Sequence, residues 1–267
     1  MQSKKQLSDF TILKVENITQ HFGGVTALDG VTFSVGHGEI VSLIGPNGAG
    51  KTTLFNCITG LYVPRAGSIY FGDSETNLNR LYPYQITAKG IARTFQTIRL
   101  FKHMTALENI MVGAHTKTRG GILAGLFRPR WVMLEEKKLR LQANRLLTFF
   151  GISSKAHELA KNLSYGYQRK LEIARALASD PKLLLLDEPA AGMNPKEKDE
   201  LLELIRAIRN RGVTVLLIEH DMKVVMPISD KIIVLDYGKK IAEGSAREIQ
   251  DNPRVIEAYL GKAVHRP

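Results

Sequence analysis

The stretch Gly45-Pro46-Asn47-Gly48-Ala49-Gly50-Lys51-Thr52 decides the fold of this chain. It follows Glu39–Ile44, a short apolar run typical of a buried parallel strand, and precedes Thr53–Ile58, whose apolar residues have helical spacing. Its three glycines allow the backbone to turn tightly, so that successive N–H groups can point at one anion. A strand, a glycine-rich turn and a helix in this order predict a phosphate-binding loop.

The same residues match the P-loop pattern G-x-x-x-x-G-K-[ST]. The N-terminus of the following helix contributes a partial positive charge, and Lys51 adds a full one. The Thr52 hydroxyl is suitably placed to bind Mg²⁺. The sequence therefore predicts a nucleoside triphosphate site whose contacts come from Gly45, Pro46, Asn47, Gly48, Ala49, Gly50, Lys51, Thr52 and Thr53.

The composition is that of an ordinary soluble globular protein, with 267 residues, 44% hydrophobic and 24% charged. Apolar runs are too short to span a membrane, and the single cysteine, Cys57, excludes an internal disulfide and fits a reducing cytoplasm. The net charge of +11 is spread along the chain without a block of five basic residues, so it does not by itself indicate nucleic-acid binding.

The first half of the chain combines a predicted sheet with a helical insertion. We expect strands over 11–18 and 31–35, with a turn over Gln20–Leu28 between them. From about Ala92 to Lys161 strand signals are scarce, which predicts a helical subdomain inserted into an α/β core. Within it, the glycine-rich and basic stretch Thr116–Arg130 is expected to form an irregular loop.

The second half alternates strands and helices, which predicts a mainly parallel, doubly wound sheet. The apolar runs Lys182–Leu186 and Val213–Ile218 are expected to be buried strands, and Lys196–Arg209 an amphipathic helix between them. A last helix is predicted with Asn252 as N-cap and Pro253 at its first position.

Two carboxylates, Asp187 and Glu188, follow the apolar run Leu183–Leu186. They are expected at the carboxyl end of a buried parallel strand, where α/β sheets bind their ligands. Asp187 is suited to hold Mg²⁺ beside Thr52. Glu188 points differently and is the candidate general base that polarises the attacking water.

The stretch Leu163–Gln168 reads Leu-Ser-Tyr-Gly-Tyr-Gln and precedes a helix predicted over Gln168–Ala178. A serine and a glycine at a helix N-terminus can receive a phosphate, although such residues more often serve only as a cap. With the P-loop and Asp187-Glu188, the stretch resembles the signature motif of ABC-type ATPases, usually Leu-Ser-Gly-Gly-Gln. Tyrosines replace the first glycine and the glutamine. The resemblance implies that four residues act on the ATP of a partner chain: Ser164, Tyr165, Gly166 and Tyr167.

Other motifs of ABC ATPases follow in the family's order. The resemblance implies that Gln96 senses Mg²⁺ and contacts a membrane partner, and that His220 contacts the γ-phosphate. It assigns Phe22 and Val25 to the ATP site, with the phenyl ring stacking on adenine. Asn194 occupies the D-loop position at which aspartate is commoner. The resemblance thus implies three metal-binding residues, Thr52, Gln96 and Asp187, and three catalytic residues, Lys51, Glu188 and His220.

The resemblance covers about residues 11–245 and implies an ABC ATPase domain there, with a C-terminal helix and tail over 246–267. The implied fold is an α/β P-loop NTPase with a mainly parallel core sheet, an N-terminal antiparallel β-subdomain and a helical subdomain over about 96–175. In this family the signature of one domain closes over the P-loop of another. The chain is therefore expected to act as a homodimer or with a paralogous ATPase subunit.

Three classes of protein are weighed as interpretations of this sequence. A GTPase is disfavoured because the guanine-specificity motif Asn-Lys-x-Asp is absent and the signature would be unexplained. ABC ATPases that act on nucleic acid usually carry coiled-coil arms, zinc modules or two ATPase domains, none of which fits this sequence, so no nucleic-acid partner is expected. The ATPase of a membrane transporter is the preferred interpretation.

Several stretches resemble the longer ATP-binding subunit of bacterial branched-chain amino-acid importers: His21–Leu28, Gly90–Gln96, Leu107–Gly113, Thr116–Arg130 and Ala190–Pro195. The resemblance implies two integral membrane permease subunits, an indirect periplasmic solute-binding partner and a peripheral location on the cytoplasmic face of the inner membrane. Related ATPases for urea uptake or lipopolysaccharide export share part of this pattern, and solute selection belongs to the partners.

Overall fold

The computed structural model describes residues 11–72, 76–115 and 130–260. The chain divides into two compact units, the first formed by Met1–Ile86 with Lys182–Pro267 and the second by Thr87–Pro181. The predicted irregular loop Thr116–Arg130, apart from its last residue, lies outside the described residues, as does the tail beyond residue 260.

The strands, in chain order, are β1 (Thr11–Phe22), β2 (Val25–Gly36), β3 (Ile40–Ile44), β4 (Ala66–Phe71), β5 (Thr76–Asn77), β6 (Ile91–Arg93), β7 (Leu183–Asp187), β8 (Thr214–Ile218), β9 (Lys231–Asp236) and β10 (Lys239–Gly244). The α-helices are α1 (Lys51–Ile58), α2 (Pro83–Lys89), α3 (Ala106–Gly113), α4 (Arg130–Phe149), α5 (Tyr165–Leu177), α6 (Pro195–Asn210), α7 (Met222–Val225), α8 (Ala246–Gln250) and α9 (Pro253–Leu260).

The core sheet of the first unit runs in the order β10-β9-β3-β8-β7. Strand β3 is parallel to β8 and β9, and β7 is parallel to β8, whereas β10 pairs with β9 in the antiparallel sense. Every residue of β3, β7 and β8 is buried, as expected for strands covered on both faces. The predicted mainly parallel α/β core is confirmed.

A second sheet of the first unit is antiparallel, in the order β2-β1-β4-β5. The turn predicted over Gln20–Leu28 is wrong, because β1 continues to Phe22 and β2 begins at Val25. The polar residues of this stretch pair across the strands, and His21 Nδ1 lies 3.0 Å from the Thr26 hydroxyl. Only Gly23 and Gly24 form the turn. The residues on either side, which the sequence predicted in the turn, pair between β1 and β2, so their backbone N–H and C=O groups are hydrogen-bonded.

The second unit is mainly helical, with α3 packed against α4 and α5. Helix α3 begins with a capping box between Thr105 and Glu108 and buries Leu107 and Ile110. Helix α5 begins at Tyr165, three residues before the predicted start at Gln168, because Ser164 serves as its N-cap. None of the helices in the described ranges is long and apolar enough to cross a bilayer.

Candidate nucleotide-binding site

The P-loop connects β3 to α1, and its glycines adopt backbone angles that other residues rarely take. Gly45 has φ 151° and Gly50 has φ 99°. A Cβ atom would lie 2.1 Å from the Leu235 carbonyl oxygen at Gly45, and 2.4 Å from the Ala27 carbonyl oxygen at Gly50. Because neighbouring backbone fills the space on that side of each glycine, a larger residue would displace the loop.

Lys51 is the buried cation of the loop, with 6% of its surface exposed. Its Nζ donates to the carbonyl oxygens of Gly45 at 2.7 Å and Pro46 at 2.9 Å. Burial lowers the pKa of Lys51, and the negative charges of Glu188 and Asp187 partly oppose this shift. The ammonium group is therefore held inside the loop and lies within the electrostatic reach of both carboxylates.

A hairpin and the C-terminal helix hold the P-loop from other sides. The Gly238 N–H donates to the Ala49 carbonyl at 3.1 Å, and the Gly238 carbonyl accepts from the Asp29 N–H at 2.8 Å. The phenolic oxygen of Tyr259, on α9, accepts from the backbone N–H of Gly45, which lowers the pKa of Tyr259 against the larger effect of burial. A cavity of about 720 Å³ borders the loop and is lined by Pro46, Asn47, Gly48, Ala49, Asp236, Tyr237, Ile241, Arg254, Glu257 and Ala258.

Asp187 and Glu188 lie where the sequence predicts them, at the carboxyl end of β7. Asp187 is buried and pairs with Ile218 of the neighbouring strand β8. Glu188 has φ 46°, a left-handed conformation that few residues other than glycine adopt, and its N–H donates to the Ile218 carbonyl at 3.0 Å. Asp187 is therefore the last residue of β7, and Glu188 is the first residue after it.

His220 approaches Glu188 in the same unit. The His220 Nδ1 atom lies 3.8 Å from Glu188 Oε1, which is too long for a hydrogen bond but close enough for electrostatic attraction. The His220 side chain is 58% exposed and that of Glu188 only 18%, so the imidazole faces solvent and the carboxylate is mostly buried. The predicted pair is therefore brought together at the end of β7 and β8.

Glu219 is a site residue that the sequence analysis did not assign. It is 1% exposed, and its two carboxylate oxygens accept from the N–H groups of Ala190 at 2.9 Å and His220 at 3.2 Å. Burial raises the pKa of Glu219, while these hydrogen bonds favour its ionised form. Its position between a fully buried strand and His220 was the only signal in the sequence.

Phe22 and Val25 flank the β1–β2 turn and expose their side chains, as an adenine-stacking site requires. The Tyr62 ring supports Phe22 from one side, with ring centroids 5.1 Å apart at an angle of 67°. Phe22 remains 42% exposed beside Tyr62, so part of its ring is accessible for stacking. Nothing local in the sequence indicates the role of Tyr62, because it lies 40 positions from Phe22 along the chain.

The signature residues lie in the second unit, at the N-terminus of α5. Ser164 is the N-cap, but its side chain makes no capping hydrogen bond. Gly166 lies inside the first turn of the helix, whereas the sequence predicted it just before the helix. Ser164, Tyr165 and Tyr167 are exposed, so the first turn presents its N–H groups, the serine hydroxyl and two aromatic rings at the surface.

Gln96 and Asn194, two further predicted site residues, lie in different units. Gln96 is exposed after β6 in the second unit. Asn194 caps α6 in the first unit, where its side chain accepts from the Glu197 N–H at 3.0 Å and Glu197 accepts from the Asn194 N–H at 2.9 Å. Asparagine therefore provides the N-terminal cap that aspartate would also provide.

The donor set suits Mg²⁺. Thr52, in the first turn of α1, has an exposed hydroxyl, and Asp187 has a carboxylate; both are the oxygen donors that Mg²⁺ prefers. Among the described residues no group of three or more His, Cys, Asp or Glu side chains could hold a metal ion.

Two family models match the sequence. One, described as ABC transporter, matches residues 28–191. The other, described as branched-chain amino acid ATP-binding cassette transporter, matches residues 239–265, which include β10, α8 and α9.

Curated relatives match along nearly their whole length. The high-affinity branched-chain amino acid transport ATP-binding protein BraF of Pseudomonas aeruginosa is 48% identical over 94% of this chain and 98% of its own. The corresponding protein LivG of Escherichia coli is 47% identical with the same coverage.

Solved structures of ATP-binding cassettes also match. The ADP conformation of one cassette of an ABC transporter has a TM-score of 0.82 and 36% identity, with 95% of this chain and 100% of that chain covered. A dimeric cassette in a post-hydrolysis state, bound to ADP and phosphate, has a TM-score of 0.75 and 28% identity, with 88% and 99% covered.

Proposed function

This chain belongs to the ABC transporter ATP-binding family and is an ATPase, and we propose that it powers an importer of branched-chain amino acids. The observation that carries the solute assignment is the match of residues 239–265 to the branched-chain amino acid model, outside residues 28–191, which the general ABC transporter model matches. The identity of 48% to BraF along nearly the whole chain supports the same assignment.

We assign ATP binding to the P-loop and to the aromatic residue at the β1–β2 turn. The phosphates would be bound by the backbone of Gly45–Gly50, by Lys51 and by the first turn of α1, which includes Thr52 and Thr53. Adenine would stack on the exposed part of the Phe22 ring, beside Val25. The Lys51 ammonium donates to the carbonyl oxygens of Gly45 and Pro46, so it lies at the loop where the phosphates would bind.

Hydrolysis is assigned to Glu188, His220 and Lys51. Glu188 would accept a proton from the attacking water, since its carboxylate is held at the end of β7. His220 would contact the γ-phosphate, and its distance of 3.8 Å from Glu188 places both groups at one end of the sheet. Lys51 would stabilise the charge that develops on the transferred phosphoryl group.

Mg²⁺ would be held by the Thr52 hydroxyl and the Asp187 carboxylate. Gln96, in the second unit, receives the same assignment from the family pattern alone. When bound, Mg²⁺ neutralises phosphate charge and lowers the barrier to phosphoryl transfer.

We propose that the chain completes its ATP site only as a dimer with a second copy or a paralogous subunit. Ser164, Tyr165, Gly166 and Tyr167 would then approach the ATP bound to the partner's P-loop, while Asn194 lies in the D-loop. Because the Ser164 hydroxyl is not used in capping, it is suited to receive a phosphate oxygen. ATP binding would favour the closed dimer, and hydrolysis would release it.

The partners would be two integral membrane permease subunits and, indirectly, a periplasmic solute-binding protein. The chain would act as a peripheral subunit on the cytoplasmic face of the inner membrane. The exposed residues that follow Gln96, up to His103, are our candidate for the surface that contacts the permease, and we call Gln96–His103 the coupling surface.

The deciding experiment is reconstitution in vesicles with the membrane subunits and candidate solute-binding proteins. We expect leucine, isoleucine and valine to stimulate ATP hydrolysis, whereas other amino acids and urea do not. Stimulation by urea alone, or by none of these solutes, would reject the amino-acid assignment. In the second case a lipid-exporting complex would be the next assembly to test.

A further inference from the structure

Helix α5, which carries the signature, also carries a buried arginine that the catalytic assignment does not use. Arg169 is 0% exposed. Its Nη1 donates to the carbonyl oxygen of Phe95 at 2.8 Å and to Glu172 Oε2 at 2.8 Å, and its Nη2 donates to the carbonyl oxygen of Gln96 at 2.9 Å. The guanidinium therefore binds two consecutive peptide groups at the start of the coupling surface.

Glu172, one turn further along α5, binds the next part of the same segment. Its Oε1 accepts from the N–H of Arg99 at 3.1 Å, while its Oε2 is taken by Arg169. The Arg99 guanidinium lies 4.1 Å from the centre of the Phe95 ring, in cation–π geometry. Three backbone groups between Phe95 and Arg99 are thus bound by two side chains of one helix.

Tyr165 extends this network into the signature itself. Its hydroxyl oxygen accepts from Arg169 Nη2 at 3.1 Å, and the guanidinium lies 5.8 Å from its ring centre. Tyr165 and Arg169 are four residues apart, so they lie on the same face of α5. The glycine usual at this position of ABC signatures has no side chain that could make these contacts, so the tyrosine provides a link that a glycine would lack.

The C-terminal part of the coupling surface is bound by a third buried side chain of the same unit. Asn109, on α3, donates to the carbonyl oxygens of Phe101, Met104 and Thr105 at 3.0 to 3.3 Å and accepts from the Phe101 N–H at 2.9 Å. With both ends bound, the segment has little freedom to move independently of α3 and α5.

A buried guanidinium is costly unless its donors are satisfied. The four bonds of Arg169 use both of its terminal nitrogens, whereas its Nε atom is buried without a hydrogen-bond partner among the described residues. A packed apolar side chain would fill the same space without that cost. We therefore explain the arginine by the directed hydrogen bonds of its guanidinium, which hold the backbone of Phe95 and Gln96 against α5.

We propose that Tyr165, Arg169 and Glu172 are positioning residues that make the coupling surface move with the signature. Closure of the signature on a partner's ATP would then displace Phe95–Arg99 directly, without a separate conformational step. This inference rests on the dimer closure in the proposed function, and it does not depend on which solute is transported.

Amide hydrogen exchange of the full-length protein tests this link. In the parent protein we expect a non-hydrolysable ATP analogue with Mg²⁺ to slow exchange both in the first turn of α5 and in residues 95–105. In Tyr165→Phe, which removes only the hydroxyl group, the response of 95–105 should fall at least threefold while that of α5 remains. Arg169→Lys, which keeps the charge and loses the planar fork, should abolish it.

Tyr84→Phe is the matched control, since it removes an exposed tyrosine hydroxyl in the first unit, and we expect the parent response from it. An unchanged response of 95–105 in Tyr165→Phe would overturn the inference, even if Arg169→Lys fails to fold. A parent protein whose α5 responds and whose 95–105 segment does not would overturn it as well. If neither segment of the parent responds, dimer closure itself is wrong, and the inference falls with it.

The reconstituted complex gives a second measurement. We expect Tyr165→Phe to reduce the ratio of solute-stimulated to basal ATPase at least threefold, with a melting temperature within about 2 °C of the parent. A lower melting temperature together with an unchanged ratio would assign the network to stability alone, and would reject the inference.

Discussion

At the scale of single residues, the sequence was sufficient to predict where Glu188 and Lys51 lie. Both were expected from the order of strand, loop and helix, and the structure places Glu188 at the end of β7 and Lys51 at the start of α1. The left-handed backbone of Glu188 was not expected, because nothing local favours φ 46° for a glutamate. Such strain is maintained only when the surrounding structure requires it, which agrees with a catalytic role.

The substitution Glu188→Gln tests this role. Because glutamine cannot accept a proton, we expect the rate of ATP hydrolysis to fall by roughly 10²- to 10⁴-fold, with ATP binding retained and the ATP-bound dimer trapped. Hydrolysis is measured by phosphate release and the dimer by size-exclusion chromatography with ATP.

Glu203→Gln, an exposed position on α6, is the matched control and is expected to stay within about twofold of the parent. Turnover close to the parent's in Glu188→Gln would remove Glu188 from the role of general base.

At the scale of secondary-structure elements, the C-terminal helix α9 lies closer to the nucleotide loop than the sequence suggested. Val255 packs in one buried cluster with Ile44, the last residue of β3. One turn further, the Tyr259 hydroxyl bonds to the backbone of Gly45, and burial raises the pKa of Tyr259 to about 12. The Gly45 N–H partly opposes this shift, because a hydrogen bond donated to the phenolic oxygen favours its ionised form.

The substitution Tyr259→Phe measures what this bond contributes. A neutral hydrogen bond is worth about 0.5–1.5 kcal/mol, so we expect the KM for ATP to rise about 2- to 10-fold with kcat within twofold. Steady-state kinetics over a range of ATP concentrations give both constants. Tyr82→Phe removes a hydroxyl from an exposed tyrosine and should change neither. Equal KM values for parent and Tyr259→Phe would show that α9 does not support the loop.

At the scale of the whole molecule, the two units carry complementary parts of the proposed function. The first holds the P-loop, Asp187, Glu188 and His220, and the second holds Gln96 and the signature. The coupling surface lies in the second unit, where the side chains of Lys102 and His103 are exposed. The same unit therefore carries the segment that would meet the permease and the motif that would close on the partner's ATP.

The double substitution Lys102→Glu with His103→Glu tests the coupling surface. We expect it to reduce solute-stimulated ATPase of the reconstituted complex at least tenfold, because reversed charge disfavours docking, while the isolated chain binds ATP as the parent does. Lys137→Glu, at an exposed position of α4, is the control for charge reversal. If ATP binding by the isolated chain fell in parallel, the segment would belong to the fold and not to the contact with the permease.

Short stretches of sequence were sufficient to predict the structure where the chemistry requires a particular residue type at a particular spacing. The P-loop, the two carboxylates after Leu186 and the strand-helix alternation of the core all follow from short stretches, because backbone geometry and periodicity act over a few residues. The same information misplaced the turn at Gln20–Leu28, since cross-strand pairing, and not polarity, determines where those strands end.

By itself, the sequence determined a mainly parallel α/β core, a triphosphate-binding loop and the order of motifs that identifies the family. Only the tertiary structure decided that Glu219 binds the N–H groups of Ala190 and His220, that Tyr62 supports Phe22, and that Tyr259 reaches Gly45. It also decided that Tyr165, at a position where the family usually has glycine, bonds to Arg169. The physical reason is that hydrogen bonds and ring contacts depend on distance in space, and folding brings together residues whose separation along the chain carries no signal of the contact.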